Sequence, residues 1–268
     1  MSMRNIAGFH QVRYCPQIIF VSAIVIILLQ GCNPFSSSTH SLAVELKYRG
    51  KPVECNASFE HDGQYWTLSQ FAMYLSGISA QRQGQPVELE LEENDWQQGD
   101  VVLLFGLNQC DEHAESNHVI TLAGDLQQAD SLTFTLGLPF NINHLNPVTQ
   151  SSPLNISEMF WSWRNGYKFV RIDMRSEHKN SWSYHLGSLG CVSAASVRAP
   201  ESACRYPNTF DFSVSKQSDG TKLIVHLDRL LQDVEPLKQG DCMFEGMGEP
   251  LCQILATNLS GREIFTWH

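Results

Sequence analysis

The chain has no C-x-x-C pair, no C-x-x-C-H, no H-E-x-x-H, no G-x-S-x-G and no paired-carboxylate motif. The first absence argues against a zinc ribbon and the second against covalently attached c-type haem. The others remove familiar signatures of metalloproteases and of serine and carboxylate hydrolases. Amphipathic helical periodicity longer than about ten residues is almost lacking, and no repeat of fixed period occurs. Charge is sparse at 17% of residues, whereas 43% are hydrophobic, which excludes a disordered chain.

What charge there is leans acidic. The first 31 residues hold two basic residues, Arg4 and Arg13, and no acidic one, then an apolar run over 18–29 and Gln30-Gly31-Cys32. A run of 12 residues is too short to cross a hydrocarbon core of about 30 Å, which takes about 20 residues as a helix. This pattern reads as an export signal, and Leu28-Leu29-Gln30-Gly31-Cys32 resembles a bacterial lipobox. The expectation is a signal peptide over 1–31, a lipidated Cys32, and a Ser-rich tether over 32–41 holding the protein to a membrane in the bacterial envelope, facing the periplasm. Removing that leader takes two of 18 basic residues and none of 28 acidic ones, leaving a net charge of −12. No basic run remains to neutralise phosphates, so nucleic acid is excluded as a partner, while an acidic surface suits metal cations or a basic protein.

Of eight cysteines, six stay in the exported body: Cys55, Cys110, Cys191, Cys204, Cys242 and Cys252. An even set in an oxidising compartment implies disulfides. Six cysteines allow fifteen pairings; proximity favours 191 with 204 and 242 with 252, leaving 55 with 110.

The remaining sequence, 42–268, reads as one all-β domain. Period-two alternation marks strands near 42–48, 71–76, 87–92, 132–136, 167–174, 182–186, 210–214 and 223–227, and the apolar run 101–107 has the form of a strand buried on both faces. Strands of this length between turn signals predict a disulfide-tied antiparallel β-sandwich with long loops and one or two short helices. One of those helices is expected over 154–163, with Asn155 as N-cap and Glu158 three residues on. In Tyr-Lys-Phe-Val-Arg-Ile-Asp-Met, 167–174, alternation puts Val170, Ile172 and Met174 on the core face and Tyr167, Phe169, Arg171 and Asp173 on the other. Glu88, Glu90 and Glu92 read as a solvated strand face, and the 111–118 segment with His113 and His118 as a solvated loop.

Chemistry-bearing groups concentrate between residues 137 and 191. His144 and His185 flank Trp161 and Trp163, and imidazole is a ligand for copper, zinc, iron or nickel. Three blocks stand in order here: Leu-Pro-Phe-Asn-Ile-Asn-His-Leu-Asn-Pro, Met-Phe-Trp-Ser-Trp-Arg-Asn-Gly-Tyr-Lys-Phe-Val-Arg-Ile-Asp, and Tyr-His-Leu-Gly-Ser-Leu-Gly-Cys. Together they resemble the MbnP-like family of periplasmic copper-binding proteins associated with methanobactin operons. The likeness extends loosely over 42–265; Leu189 and an extra Trp182 depart from its pattern.

The resemblance implies copper as the bound metal, His144 and His185 as its ligands, and Arg171 and Asp173 as supporting residues. It also implies that Trp161 or Trp163 is oxidised to kynurenine by a dihaem partner related to cytochrome c peroxidases. The chain would then be a binding protein for copper acquisition or storage. Two other classes compete: a metal enzyme that uses Asp173 as base, and a disulfide-tied interaction or adhesion module whose tryptophans are plain core.

Overall fold

The computed structural model describes residues 38–53, 57–106, 115–195, 197–243 and 249–268. Its first eight strands are β1 (Thr39–Tyr48), β2 (Lys51–Pro52), β3 (Ser58–His61), β4 (Gln64–Arg82), β5 (Gln85–Val87), β6 (Leu89–Leu91), β7 (Gln97–Gln98) and β8 (Val101–Gly106). Eight more follow: β9 (Val119–Gly124), β10 (Ser131–Leu136), β11 (Phe160–Ser162), β12 (Gly166–Ser176), β13 (Ser181–Gly187), β14 (Phe210–Ser215), β15 (Lys222–His226) and β16 (Phe265–Trp267). Helices are short, α1 (Phe140–Asn143), α2 (Leu227–Leu230) and α3 (Pro236–Gln239), apart from α4 (Pro250–Gly261).

The strands form two sheets. One runs β16-β15-β1-β9-β6, and the other β11-β12-β4-β10-β14 with β13 on the free side of β12. The sheets meet through aromatic side chains: Phe265 of β16 packs edge-on against Phe134 of β10 and Phe212 of β14, at ring separations of 5.0 and 4.6 Å. The long strand β4 organises the larger sheet by pairing with β12, β10 and β8 along its length. Phe71 to Leu75 are buried on both faces, and so is the whole of β8, as its unbroken apolar run requires. Among the described strands one pairing departs from an antiparallel sandwich. Strand β1 lies parallel to β15, because the long connection through the other sheet returns the chain in the same direction.

The expected helix over 154–163 reduces to a single 3-10 turn, Ser157–Met159, after which the chain enters β11. Phe160 pairs there with Tyr167 and Ser162 with Gly166, so the aromatic residues prefer a hairpin on the sheet to a helix that nothing would cover. The alternation read in β12 is also interrupted. Its pairing with β13 shifts between Lys168 and Val170, and this bulge turns Tyr167 and Phe169 into the core ahead of Val170, Ile172 and Met174. Only Arg171 and Asp173 keep the predicted outward direction.

Two disulfides join described residues, Cys191–Cys204 and Cys242–Cys252. The second fastens α4 to the edge of β13: Cys242 pairs with Tyr184, and its carbonyl accepts from His185 N–H at 2.9 Å. Cys55, Cys110, Cys32 and His113 lie outside the described residues. Strand β1 begins at Thr39, inside the stretch read as tether. No helix among the described residues is long and apolar enough to cross a membrane.

Candidate metal centre

The loop after β10 places His144. Asn143 ends α1, and its Oδ1 accepts from the Tyr167 backbone N–H at 2.8 Å, docking the loop against the start of β12. Gly166 is essential to that approach. It holds φ +81°, and a Cβ there would fall 2.3 Å from both the carbonyl and Oδ1 of Asn143. Because Oδ1 is claimed by a backbone donor, the Asn143 amide group faces Ser188 Oγ at 3.1 Å and His144 Nε2 at 3.3 Å. In that contact Nε2 is the acceptor, one of three that share the two amide hydrogens with Ser188 Oγ and the Asn165 carbonyl at 3.3 Å. Burial pushes the His144 pKa down, opposed in part by the backbone of Trp163, and so favours the neutral ring that metals need.

His144 Nε2 also lies 3.5 Å from Cys204 Sγ. Together His144, Cys191 and Cys204 form a buried group whose potential ligand atoms are within 4.8 Å of one another and could hold a metal ion. The sulfurs are, however, joined to each other, and a thiolate is the ligand form of cysteine. In the oxidised protein the imidazole is this group's usable donor, its Nε2 lone pair held only by a long contact from Asn143.

The second part of the site lies on β12 and β13. Register pairs Arg171 with His185 and Asp173 with Ser183, and all four share the face turned from the core. Asp173 Oδ1 accepts from Ser183 Oγ at 2.7 Å and from His185 Nε2 at 3.0 Å, while Oδ2 accepts from Arg171 Nε at 2.8 Å. Burial acts to raise this carboxyl's pKa, but the hydrogen bonds from His185, Ser183 and Arg171 outweigh it and hold it well below the usual carboxylate range. His185 is buried, and its Nδ1 has no partner among the described residues.

Trp161 and Trp163 are half-buried, unlike Trp66, Trp182 and Trp267, which are sealed in the core. Trp161 packs over Gly187, where its ring lies 3.8 Å from the position a Cβ would take. Trp163 stands at the β11–β12 turn, its ring edge-on to Phe160 at 5.9 Å. Gly187 is two residues beyond His185 on the same strand face, so Trp161 and His185 occupy one side of β13.

The structure thus unites His185 with Asp173 and Arg171, and sets His144 against the Cys191–Cys204 disulfide. Ser188 links the two parts, one residue past β13 and bonded to Asn143. Among the described residues no group of three close His, Cys, Asp or Glu ligands contains both histidines. Sequence reading passed over Asn143, Ser183 and Ser188. Ser183 carried a usable signal, since it precedes His185 by two positions on a strand.

The architecture is a two-sheet, disulfide-tied sandwich that brings buried histidines and half-buried tryptophans to one region. The family model for MbnP matches residues 37–244, and the chain belongs to that family. Among solved structures it is similar to MbnP from Methylosinus trichosporium, with a TM-score of 0.70, 22% identity, and coverage of 85% of this chain and 97% of that one. At this identity the likeness speaks for the fold. A comparison with characterised proteins by sequence gives no match.

Proposed function

We propose that the chain is a lipid-anchored, periplasm-facing copper-binding protein, concerned with copper acquisition or storage and matured by a dihaem partner that oxidises Trp161 or Trp163 to kynurenine. The observation that carries this reading is a pair of buried imidazoles, each with a ring lone pair left open or weakly held, beside two half-buried tryptophans in a chain of the MbnP family. Imidazole donors suit copper, and burial favours the neutral ring of His144, which binds without first losing a proton. His144 and His185 would hold the ion, with Trp161 or Trp163 as the site of modification. Kynurenine would add a ketone and an aniline where indole offers only a donor. An enzymatic role for Asp173 as base is disfavoured, because both its oxygens are committed and its proton affinity is depressed.

The test is metal analysis and intact mass of the protein recovered from its native envelope, with wild type compared to the His144→Ala/His185→Ala double variant. Stoichiometric copper in wild type and none in the variant is expected. Peptides spanning 159–168 should carry a tryptophan short of one carbon and richer by one oxygen after reaction with the dihaem partner and peroxide. Copper retained by the double variant, or peptides left unmodified, would overturn the respective half of the reading. Detergent phase partition tests the anchor at Cys32: recovery of wild type in the aqueous phase removes it.

A further inference from the structure

The Asp173–His185 pair supports a further step, which rests on His185 being a copper ligand. An ionised carboxylate only accepts hydrogen bonds, so the 3.0 Å contact to Asp173 Oδ1 requires the proton on His185 Nε2. A neutral ring protonated there has its lone pair on Nδ1. Turning the ring over would set a carbon against the carboxylate and forfeit the bond. The carboxylate is itself fixed, with Ser183 Oγ at 2.7 Å on one oxygen and Arg171 Nε at 2.8 Å on the other. Nδ1 is buried with no partner among the described residues, so its lone pair is not claimed by the fold.

We propose that Asp173 is a positioning residue that locks His185 as the Nε2–H tautomer and so makes Nδ1, not Nε2, the nitrogen presented to copper. Ser183 and Arg171 keep the carboxylate aligned behind the ring. The arrangement is that of a ligand histidine backed by an outer carboxylate, which fixes ring orientation and strengthens the donor. It also separates the duties of the strand pair: His185 on β13 binds, and Arg171 and Asp173 on β12 orient.

Long-range proton–nitrogen NMR of the full exported chain tests this, with silver(I) as a diamagnetic probe in place of copper(I). In the metal-free protein the His185 ring should show a protonated Nε2 and a bare Nδ1, and silver should move the Nδ1 resonance. Asp173→Asn should lower copper affinity roughly 10–100-fold, with Asp173→Glu recovering part of the loss. A His185 ring protonated on Nδ1, a silver shift confined to Nε2, or copper affinity unchanged in a folded Asp173→Asn would overturn the proposal and leave the copper reading standing. Wild type taking up neither silver nor copper would overturn both. The tautomer and the silver shift are read on wild type, so they decide the matter even where Asp173→Asn fails to fold.

Discussion

His61 and His185 are both strand histidines, 8% and 6% exposed, yet they are wired in opposite ways. His61 Nε2 donates to the Val234 carbonyl at 2.8 Å, which leaves Nδ1 to accept from Tyr48 O–H at 2.9 Å, so both ring nitrogens are satisfied by the fold. His185 satisfies one nitrogen through Asp173 and leaves the other bare. Burial alone does not separate a structural histidine from a binding one; the hydrogen bonds of each ring atom do. The tryptophans repeat the contrast. Trp182 is enclosed on β13, while Trp161, over the same strand, stays half-open above Gly187.

The widest gap should open between the tryptophans. Trp182→Ala should cost about 3–5 kcal/mol in urea unfolding, the range for a large aromatic lost from a close-packed core. Trp161→Ala should cost less than half of that, and equal losses would place Trp161 in the core after all.

Next come the histidines themselves. His61→Ala strands the Tyr48 hydroxyl and the Val234 carbonyl and should cost about 2–4 kcal/mol while leaving copper uptake intact. His185→Ala should reverse the pattern, with copper lost and stability lowered by about 1–2 kcal/mol, because Asp173 keeps Ser183 and Arg171 as donors. Copper lost from the His61 variant in a folded state would erase the distinction.

The smallest effect is in pH. Burial pushes the His61 pKa down, opposed in part by the hydrogen bond to Val234. The unfolded chain therefore binds this proton more readily than the folded one. Its contribution is complete above the unfolded value of about 6.5 and is lost as pH falls through and below it, towards the depressed folded value. Urea midpoints of wild type should drop between pH 7.5 and 5.5, and the drop should shrink in His61→Gln. An identical drop in both would assign the acid sensitivity elsewhere.

Much of the frame was legible in the residues. Alternation in β1 and β10 and the apolar run of β8 correspond to strands with the burial expected of them, because a period of two is written locally, whereas β15 is a strand whose Leu223, Ile224 and Val225 are all buried. Cysteine proximity gave the pairings 191 with 204 and 242 with 252. Helix α4 escaped notice, although Pro250 at its first turn and buried Leu251, Leu255 and Leu259 at spacings of four were available signals.

The sequence by itself determined many of the extended stretches, though not β9 or β11, together with which cysteines lie close enough to pair and which blocks carry the family pattern, since each of these depends on neighbours along the chain. Tertiary structure alone decided the direction of Tyr167 and Phe169, which turns on a bulge set by pairing with β13. It also decided that His144 meets a disulfide sulfur 60 residues away, and that one nitrogen of His185 is closed by Asp173 while the other stays open. Such contacts arise from how sheets and loops dock, and no local periodicity encodes which atom of a ring will find a partner.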